Sequence, residues 1–482
     1  MSNINKKVHA NINAALFALS LERRGARPLH AQLTDGLREL LRAAPEAAGL
    51  RLPASRVLAE ELSVSRMTVT TAYDQLVAEG YLVTRQGGGT YVAGELPHLA
   101  PPAPGPRKTP EPPRPWRPFQ PGLPDQSLFP HRIWARHLDR AWRQPDPALL
   151  DRPDSFGWPA LRAAIASHLS AWRGLDCTPD QVLITSGAGD GFDLIGRALL
   201  PHGASMAIED PGWATLEHTL RGIGITPVAL RVDGEGLDPA RLPQDCAAVN
   251  VTPSRHYPTG VAMPLARRLA LLDWAHRVSA LIVEDDYDSE FRYQGQPLPA
   301  LAGLDGLQRV IYMGSFSKLL SPALRIGYLV VPEALISKLR ATLAVTGSRA
   351  SLVPQPALAA FMASGEFATH LRRMRRTYAR RQAHLLDALA PLSDCLDLAP
   401  DPSGMHLCIG LRPTLAARIT DSEISRRAAE AGLTLRALSS HSVLPDPPQG
   451  LLFGYAGFDE SQISAAAGDL CTLLAPLCAG RS

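Results

Sequence analysis

Lys318 stands in "YMGSFSKLLSPALRIGY", behind Ser315 and Ser317 and seven residues ahead of Arg325. A lysine that directly follows the apolar run "RVIYMGS" is placed to hold a carbonyl compound as a Schiff base. The two hydroxyls and the guanidinium around it can bind a phosphate. Upstream, "LIVEDDYDSEF" ends an apolar run in carboxylates, Asp285 among them, with Tyr287 two residues on. A carboxylate there can pair with a protonated ring nitrogen, and a phenol can hydrogen-bond a ring oxygen. "TSGAGDG" follows the strand-like "QVLIT" and opens a helical segment, so the backbone N–H groups at Gly187 and Ala188 can take a phosphate. Each feature alone has a plainer reading: a surface lysine, a solvated turn, a glycine loop. Together, at strand ends and in this order, they describe a site for pyridoxal 5'-phosphate (PLP).

The elements that must position these residues come next. From residue 118 onward, strand-like runs ("QVLIT", "SMAIED", "AAVNVTP", "ALIVEDD", "RVIYMGS") alternate with helical segments such as "GDGFDLIGRALL". That alternation predicts an α/β fold, a mostly parallel sheet with helices on both faces. A smaller α/β piece follows from about residue 376. Residues 94–117 are so rich in proline that they read as a semi-rigid linker.

Ahead of the linker, residues 1–93 form a separate domain with its core at 28–93. "PLHAQLTDGLRELL", "RLPASRVLAEEL" and "SVSRMTVTTAYDQLVAEG" predict three helices, with a tight turn near Ser63. Val69, Ala72, Tyr73 and Leu76 make an inward stripe, which leaves Arg66, Met67 and Thr68 in an outward first turn behind a Ser65 cap. "YLVTRQGGGTYVA" predicts a hairpin wing.

Composition agrees with two functions on one chain. The 482 residues carry a net charge of +3, and residues 1–93 account for it with eleven Lys/Arg against eight Asp/Glu. A mildly basic small domain on a neutral large one fits a nucleic-acid reader attached to something else. The six cysteines are scattered without a CxxC pair, giving no zinc or disulfide framework and suiting a reducing cytoplasm. The fourteen histidines show no ligand spacing, so no metal site is expected. No apolar run reaches membrane-spanning length, and no signal peptide is evident.

Residues 28–93 resemble the winged helix-turn-helix of the GntR family of bacterial regulators, on "RLPASRVLAEELSVSRMTV", "LVAEGYL" and "GGGTYVA". That resemblance implies that Arg56, Ser65, Arg66 and Thr68 meet double-stranded operator DNA, with the wing near Gly88 along the backbone. Residues 118–475 resemble fold type I aminotransferases, on "PGLPDQSLFP", "TSGAG", "IEDPGW", "VTPSRHYPTGVAM", "IVEDDYDSEFRY", "GSFSKLLSPALRIGYLVVP" and "HLRRMRR". The whole chain is thus similar to the MocR subfamily of PLP-binding regulators. By that resemblance Lys318 carries PLP as an internal aldimine, Asp285 meets the pyridine nitrogen and Tyr287 the phenolic oxygen. Ser315, Ser317, Arg325, Gly187 and Ala188 hold phosphate. Trp213, where the family has Tyr, stacks on the ring. Arg436 is the analogue of the arginine that takes a substrate carboxylate, here an effector's.

The chain also departs from the family. Gly189 and Asp190 replace a Gln pair; an aspartate facing the phosphate cup would repel the anion, and Asp190 is expected to point away from it. Tyr257 stands where aminotransferases proper have Asn. Arg255 and His256 replace His and Gln, and a wet, neutral surface role is expected for both. The run 370–382 reads as a solvated or interdomain helix, with Leu371, Met374 and Tyr378 inward and six arginines on its other faces. The expectation is a cytoplasmic, homodimeric, PLP-dependent transcription regulator responding to an amine, an amino acid or PLP itself. Two rivals stand beside it: a working aminotransferase that carries a DNA module, and a DNA-binding protein whose large domain only dimerises.

Overall fold

A computed structural model describes residues 15–23, 27–44, 47–85, 88–94, 117–151 and 154–478. The chain divides into two compact units, Met1–Arg114 and Pro115–Ser482. The proline-rich segment 95–116, where the linker is expected, lies outside the described residues.

In the small unit, α1 (Leu29–Ala43), α2 (Ser55–Glu61) and α3 (Arg66–Ala78) precede a hairpin of β1 (Leu82–Arg85) and β2 (Gly89–Val92). The core is one apolar cluster. Leu33, Leu37 and Leu41 of α1 meet Leu58 of α2 and Val69, Ala72, Tyr73 and Leu76 of α3. Ser63 takes a left-handed φ of +51° in the turn between α2 and α3. Ser65 then caps α3, its hydroxyl accepting from the Thr68 backbone N–H at 3.1 Å.

The large unit is built on a seven-stranded sheet. Its strands are β3 (Val182–Thr185), β4 (Ser205–Asp210), β5 (Thr226–Arg231), β6 (Ala248–Val251), β7 (Leu281–Asp286), β8 (Val310–Ser315) and β9 (Gly327–Val330). They lie in the order β3-β9-β8-β7-β6-β4-β5. Only β9 runs against its neighbours. A strand antiparallel to both β3 and β8 leaves those two parallel. The carboxyl ends of β3, β4, β6, β7 and β8, and the start of β9, therefore share one edge. Side chains alternate between two cores: Val249, Ile282 and Val310 face one, Ala248, Val283 and Ile311 the other. Helices α4 (His131–Arg143), α5 (Pro159–Arg173), α8 (Leu265–Val278), α11 (Gln355–Ala363) and α12 (Glu366–Leu389) serve the first core. Helices α6 (Ala188–Leu199), α7 (Ala214–Gly222) and α10 (Ile336–Thr346) serve the second, and the four-residue α9 (Phe316–Leu319) closes β8.

A second, antiparallel sheet follows, of β10 (Leu396–Asp397), β11 (His406–Leu411), β12 (Arg436–Ala437) and β13 (Gly450–Gly454). Helices α12, α13 (Asp421–Glu430) and α14 (Glu460–Cys478) pack with it. Among the described residues no helix is long and apolar enough to cross a membrane.

Two expectations need correction here. Cys395 and Cys478 form a disulfide between the start of β10 and the end of α14, their Cα atoms 5.8 Å apart, so the scattered cysteines are not all unpaired. The arginines of 370–382 are also not all solvated. Leu371, Met374 and Tyr378 point inward as expected, but Arg381 is buried against Asp125 at 2.8 Å, and Arg375 lies over the Trp172 ring. A hydrophobic stripe predicts which face packs; it does not say when a neighbouring acid will pull an arginine in.

Candidate functional site

The shared edge of the large sheet collects the predicted chemistry. Lys318 leaves α9, directly after β8, and its Nζ donates to the Gly122 carbonyl at 2.7 Å. Burial pushes this ammonium below its ordinary value; Asp288 works against the shift, Arg436 adds to it and Asp285 opposes it. Asp285, in β7 next door, makes no side-chain hydrogen bond among the described residues. Burial raises its carboxyl to about 7, Asp286 adds to the rise and Lys318 opposes it. A half-hidden acid without a donor thus lies close to a lysine whose ammonium form burial disfavours. A carboxylate without a donor could take a basic nitrogen, and an amine near it a carbonyl carbon. Gly122, whose φ of +78° suits glycine, lies close against the lysine: a Cβ there would sit 2.9 Å from Nζ.

The phosphate end is a cup between β3 and β9. Gly187, the cap of α6, has a φ of +122°, and Arg325, ahead of β9, takes a left-handed φ of +51°. For a non-glycine residue that conformation costs about 1–2 kcal/mol. It brings the guanidinium over the cup: a Cβ on Gly187 would lie 3.7 Å from Nη1 of Arg325. Ser315 caps α9 by accepting from the Ser317 N–H at 3.1 Å. The first-turn N–H groups from Ala188 onward face no helical carbonyl. One oxygen of Asp190 accepts from the Ser186 N–H at 2.8 Å and the other pairs with Arg349 at 3.4 Å. Trp213 opens α7, beyond β4, with its ring centroid 6.1 Å from that of Phe192.

The phenolic side is where sequence reading falls short. Arg255 and His256 are buried, 3% and 1% exposed, which overturns the wet surface role expected for them. The Arg255 guanidinium donates to the Tyr287 hydroxyl at 2.9 Å, to Asp288 at 3.2 Å, to Asp401 at 3.0 Å and to the His406 carbonyl at 2.7 Å. His256 bonds Thr259 through Nδ1 at 2.7 Å, and burial pushes it down to about 3. Tyr257 sits edge-on to Tyr287, His406 and His441, with centroids 5.4–5.6 Å apart. Arg436, exposed on β12, acts electrostatically on both Tyr257 and Lys318. Burial drives His441 to about 4 and His406 well below its ordinary value, so the histidines of this wall are neutral near pH 7.

Behind β7 lies a buried charge network that the sequence did not suggest. Arg173, 1% exposed, pairs with Asp286 at 2.9 Å and with Glu284 at 3.7 Å, and Tyr312 donates to Asp286 at 2.6 Å. Glu209, holding the Thr252 N–H and hydroxyl, is raised to about 8 by burial.

On the small unit, Arg56, Ser65, Arg66 and Met67 are exposed, Met67 at 73%, and Thr68 is half-buried. Arg66 reaches Ser55 at 3.4 Å, a long bond that leaves most of its guanidinium available. Gly88 lies at the wing, its carbonyl taken by the Tyr91 hydroxyl at 3.0 Å; residues 86 and 87 are outside the described set. Arg51, bridged to Tyr91 and lying against Gly89, adds a cation to the wing that no sequence signal marked.

Comparison with known proteins agrees with this division. Bacterial regulatory proteins of the gntR family match residues 29–92, and class I and II aminotransferases match residues 130–470. The chain is 39% identical to the probable rhizopine catabolism regulatory protein MocR of Rhizobium meliloti, over 92% of each. It is 35% identical to the HTH-type pyridoxine biosynthesis transcriptional regulator PdxR of Corynebacterium glutamicum, over 90% of this chain and 93% of that one. Among solved structures, an archaeal alanine:glyoxylate aminotransferase superposes with a TM-score of 0.68 at 21% identity, over 74% of this chain and 90% of that one, a likeness of fold.

Proposed function

The chain belongs to the MocR subfamily of gntR-family transcription regulators, a DNA-binding unit joined to a fold type I aminotransferase-like domain, and we propose that its large domain takes PLP at Lys318 as a sensor. The observation that carries this reading is Asp285, without a hydrogen-bond donor, close to the buried Lys318, at the edge that also holds the Gly187–Arg325 cup. PLP would supply an electrophilic carbon for Lys318 or for an incoming amine. The chain's own residues would do the rest. Asp285 would hold the ring nitrogen, Tyr287 the phenolic oxygen, and Ser315, Ser317, Arg325 and the Gly187–Ala188 turn the phosphate, with Trp213 against the ring. Arg436 would take the carboxylate of an amino-acid effector, and a relative named for pyridoxine biosynthesis keeps PLP itself in view as the signal. We take the working form to be a cytoplasmic homodimer on operator DNA. The domains would be 1–93 and 118–482, with a proline-rich linker over 94–117.

A sensor must bind its ligand unequally in two states, since equal affinity shifts nothing. DNase footprinting of apo and PLP-loaded protein on its operator should give different protection patterns, with an affinity change of about five- to 150-fold. Identical footprints at identical affinities would leave a dimerisation scaffold as the better account.

The reading head makes its own prediction. Arg66→Ala should cost about 1–3 kcal/mol of discrimination between operator and random DNA in competition gel shifts, since an arginine can chelate guanine in the major groove. The PLP spectrum of that variant should not change. Unaltered discrimination would remove Arg66 from the contacts.

A further inference from the structure

We propose that Arg255 is a positioning residue for the cofactor, because its donation to the Tyr287 hydroxyl leaves that phenol's own proton free to point into the site, toward the phenolic oxygen of PLP. The inference rests on the PLP reading above.

A guanidinium can only donate. It has five N–H donors and no acceptor, and it does not give up its proton in a protein. The 2.9 Å bond to Tyr287 therefore has one sense: the phenolic oxygen accepts. Tyr287 must then donate elsewhere. The groups facing it are Tyr257, Asp288, Asp401 and Arg255. Tyr257 offers a ring edge, and Asp288 and Asp401 bond Arg255, neither accepting from the Tyr287 hydroxyl. Among the described residues Tyr287 donates to nothing. Burial holds its hydroxyl well above the ordinary tyrosine value despite Arg255, so the proton stays on Tyr287.

The orientation is fixed by packing as well as by charge. Asp401 and the His406 carbonyl hold the guanidinium from the carboxy-terminal side, and Asp288 from β7's end. Gly404 (φ +97°) and Gly260 (φ +83°) leave the space. A Cβ at Gly404 would fall 2.3 Å from Cζ of Arg255, and one at Gly260 would fall 2.6 Å from an Asp401 oxygen. A histidine or glutamine at position 255 could either give or take a hydrogen bond, and would leave the Tyr287 proton undirected. An arginine allows one direction only.

A hydrogen bond given to the cofactor's phenolic oxygen favours its anionic form and keeps the pH midpoint of the visible band low. The test follows that band against pH in full-length, PLP-loaded protein. Arg255→Gln should raise the midpoint by about one pH unit, a roughly tenfold gain in proton affinity. Tyr287→Phe should shift it as far, and the double variant no further. Arg255→Lys, a donor-only cation, should stay with the wild type, and that comparison decides the matter if the glutamine variant does not fold. An unmoved midpoint in Arg255→Gln, additive shifts in the double variant, or a lysine variant that behaves like Tyr287→Phe would each overturn the proposal. A wild type that forms no visible band with PLP would instead defeat the cofactor reading on which it stands.

Discussion

Lys318→Ala should leave a folded protein that no longer shows a visible band with PLP and releases the cofactor on gel filtration. The loss should be complete, because the other contacts are reversible and only the lysine can form the covalent link. The large unit makes assignment simple. Beyond residue 115 the chain has two lysines, Lys318 and the exposed Lys338. Borohydride reduction of PLP-loaded wild type should place the added mass on the peptide carrying Lys318, and the variant should take none. Burial already disfavours the Lys318 ammonium, so removing it should cost the fold little. Label on Lys338 in the wild type, or a band that survives in Lys318→Ala, would move the site elsewhere.

The second large effect is on stability. Arg173→Met should lower the stability of the large unit by about 3–5 kcal/mol, the usual cost of taking one partner from a buried charge network. Methionine fills comparable apolar length but leaves Asp286 and Glu284 unpaired, and Glu284 is 0% exposed. All seven tryptophans lie beyond residue 115, so their fluorescence reports the unfolding of the large unit without interference from the DNA-reading one. A thermal or urea midpoint like the wild type's would mean that the acids behind β7 take up protons instead of needing Arg173. Adding Asp286→Asn to Arg173→Met should restore part of the loss.

Much of this molecule was legible before its structure. The parallel strands were readable because each is an apolar run closed by polar residues, and Asp285 and Lys318 are among those closing residues. The outward first turn of α3 followed from the stripe Val69, Ala72, Tyr73 and Leu76, which the structure buries. Arg255 was not legible. A lone arginine in a loop looks solvated, and what buries it is Asp288, Asp401 and Gly404, which lie far along the chain. Arg381 was misread for the same reason, since its acid, Asp125, comes from the other end of the large unit. Arg173 gave no signal at all: it is the last residue of an ordinary amphipathic helix. Periodicity records how an element meets its nearest face, whereas a buried ion pair records a meeting between distant segments.

The seam between β3 and β9 bears on how the regulator comes to hold its ligand. Val182 pairs with Val330 and Thr185 with Gly327, so the glycine turn at 187 and the guanidinium at 325 meet only when this seam closes. Contacts so distant in sequence are formed late, because the entropy of closing the loop must be offset first. A chain leaving the ribosome carries half a cup until Arg325 has emerged and the last strand has slotted in. If PLP is the ligand, as proposed, it would meet a cup that exists only once the sheet is complete, and a regulator folded without it would stand ready to take it.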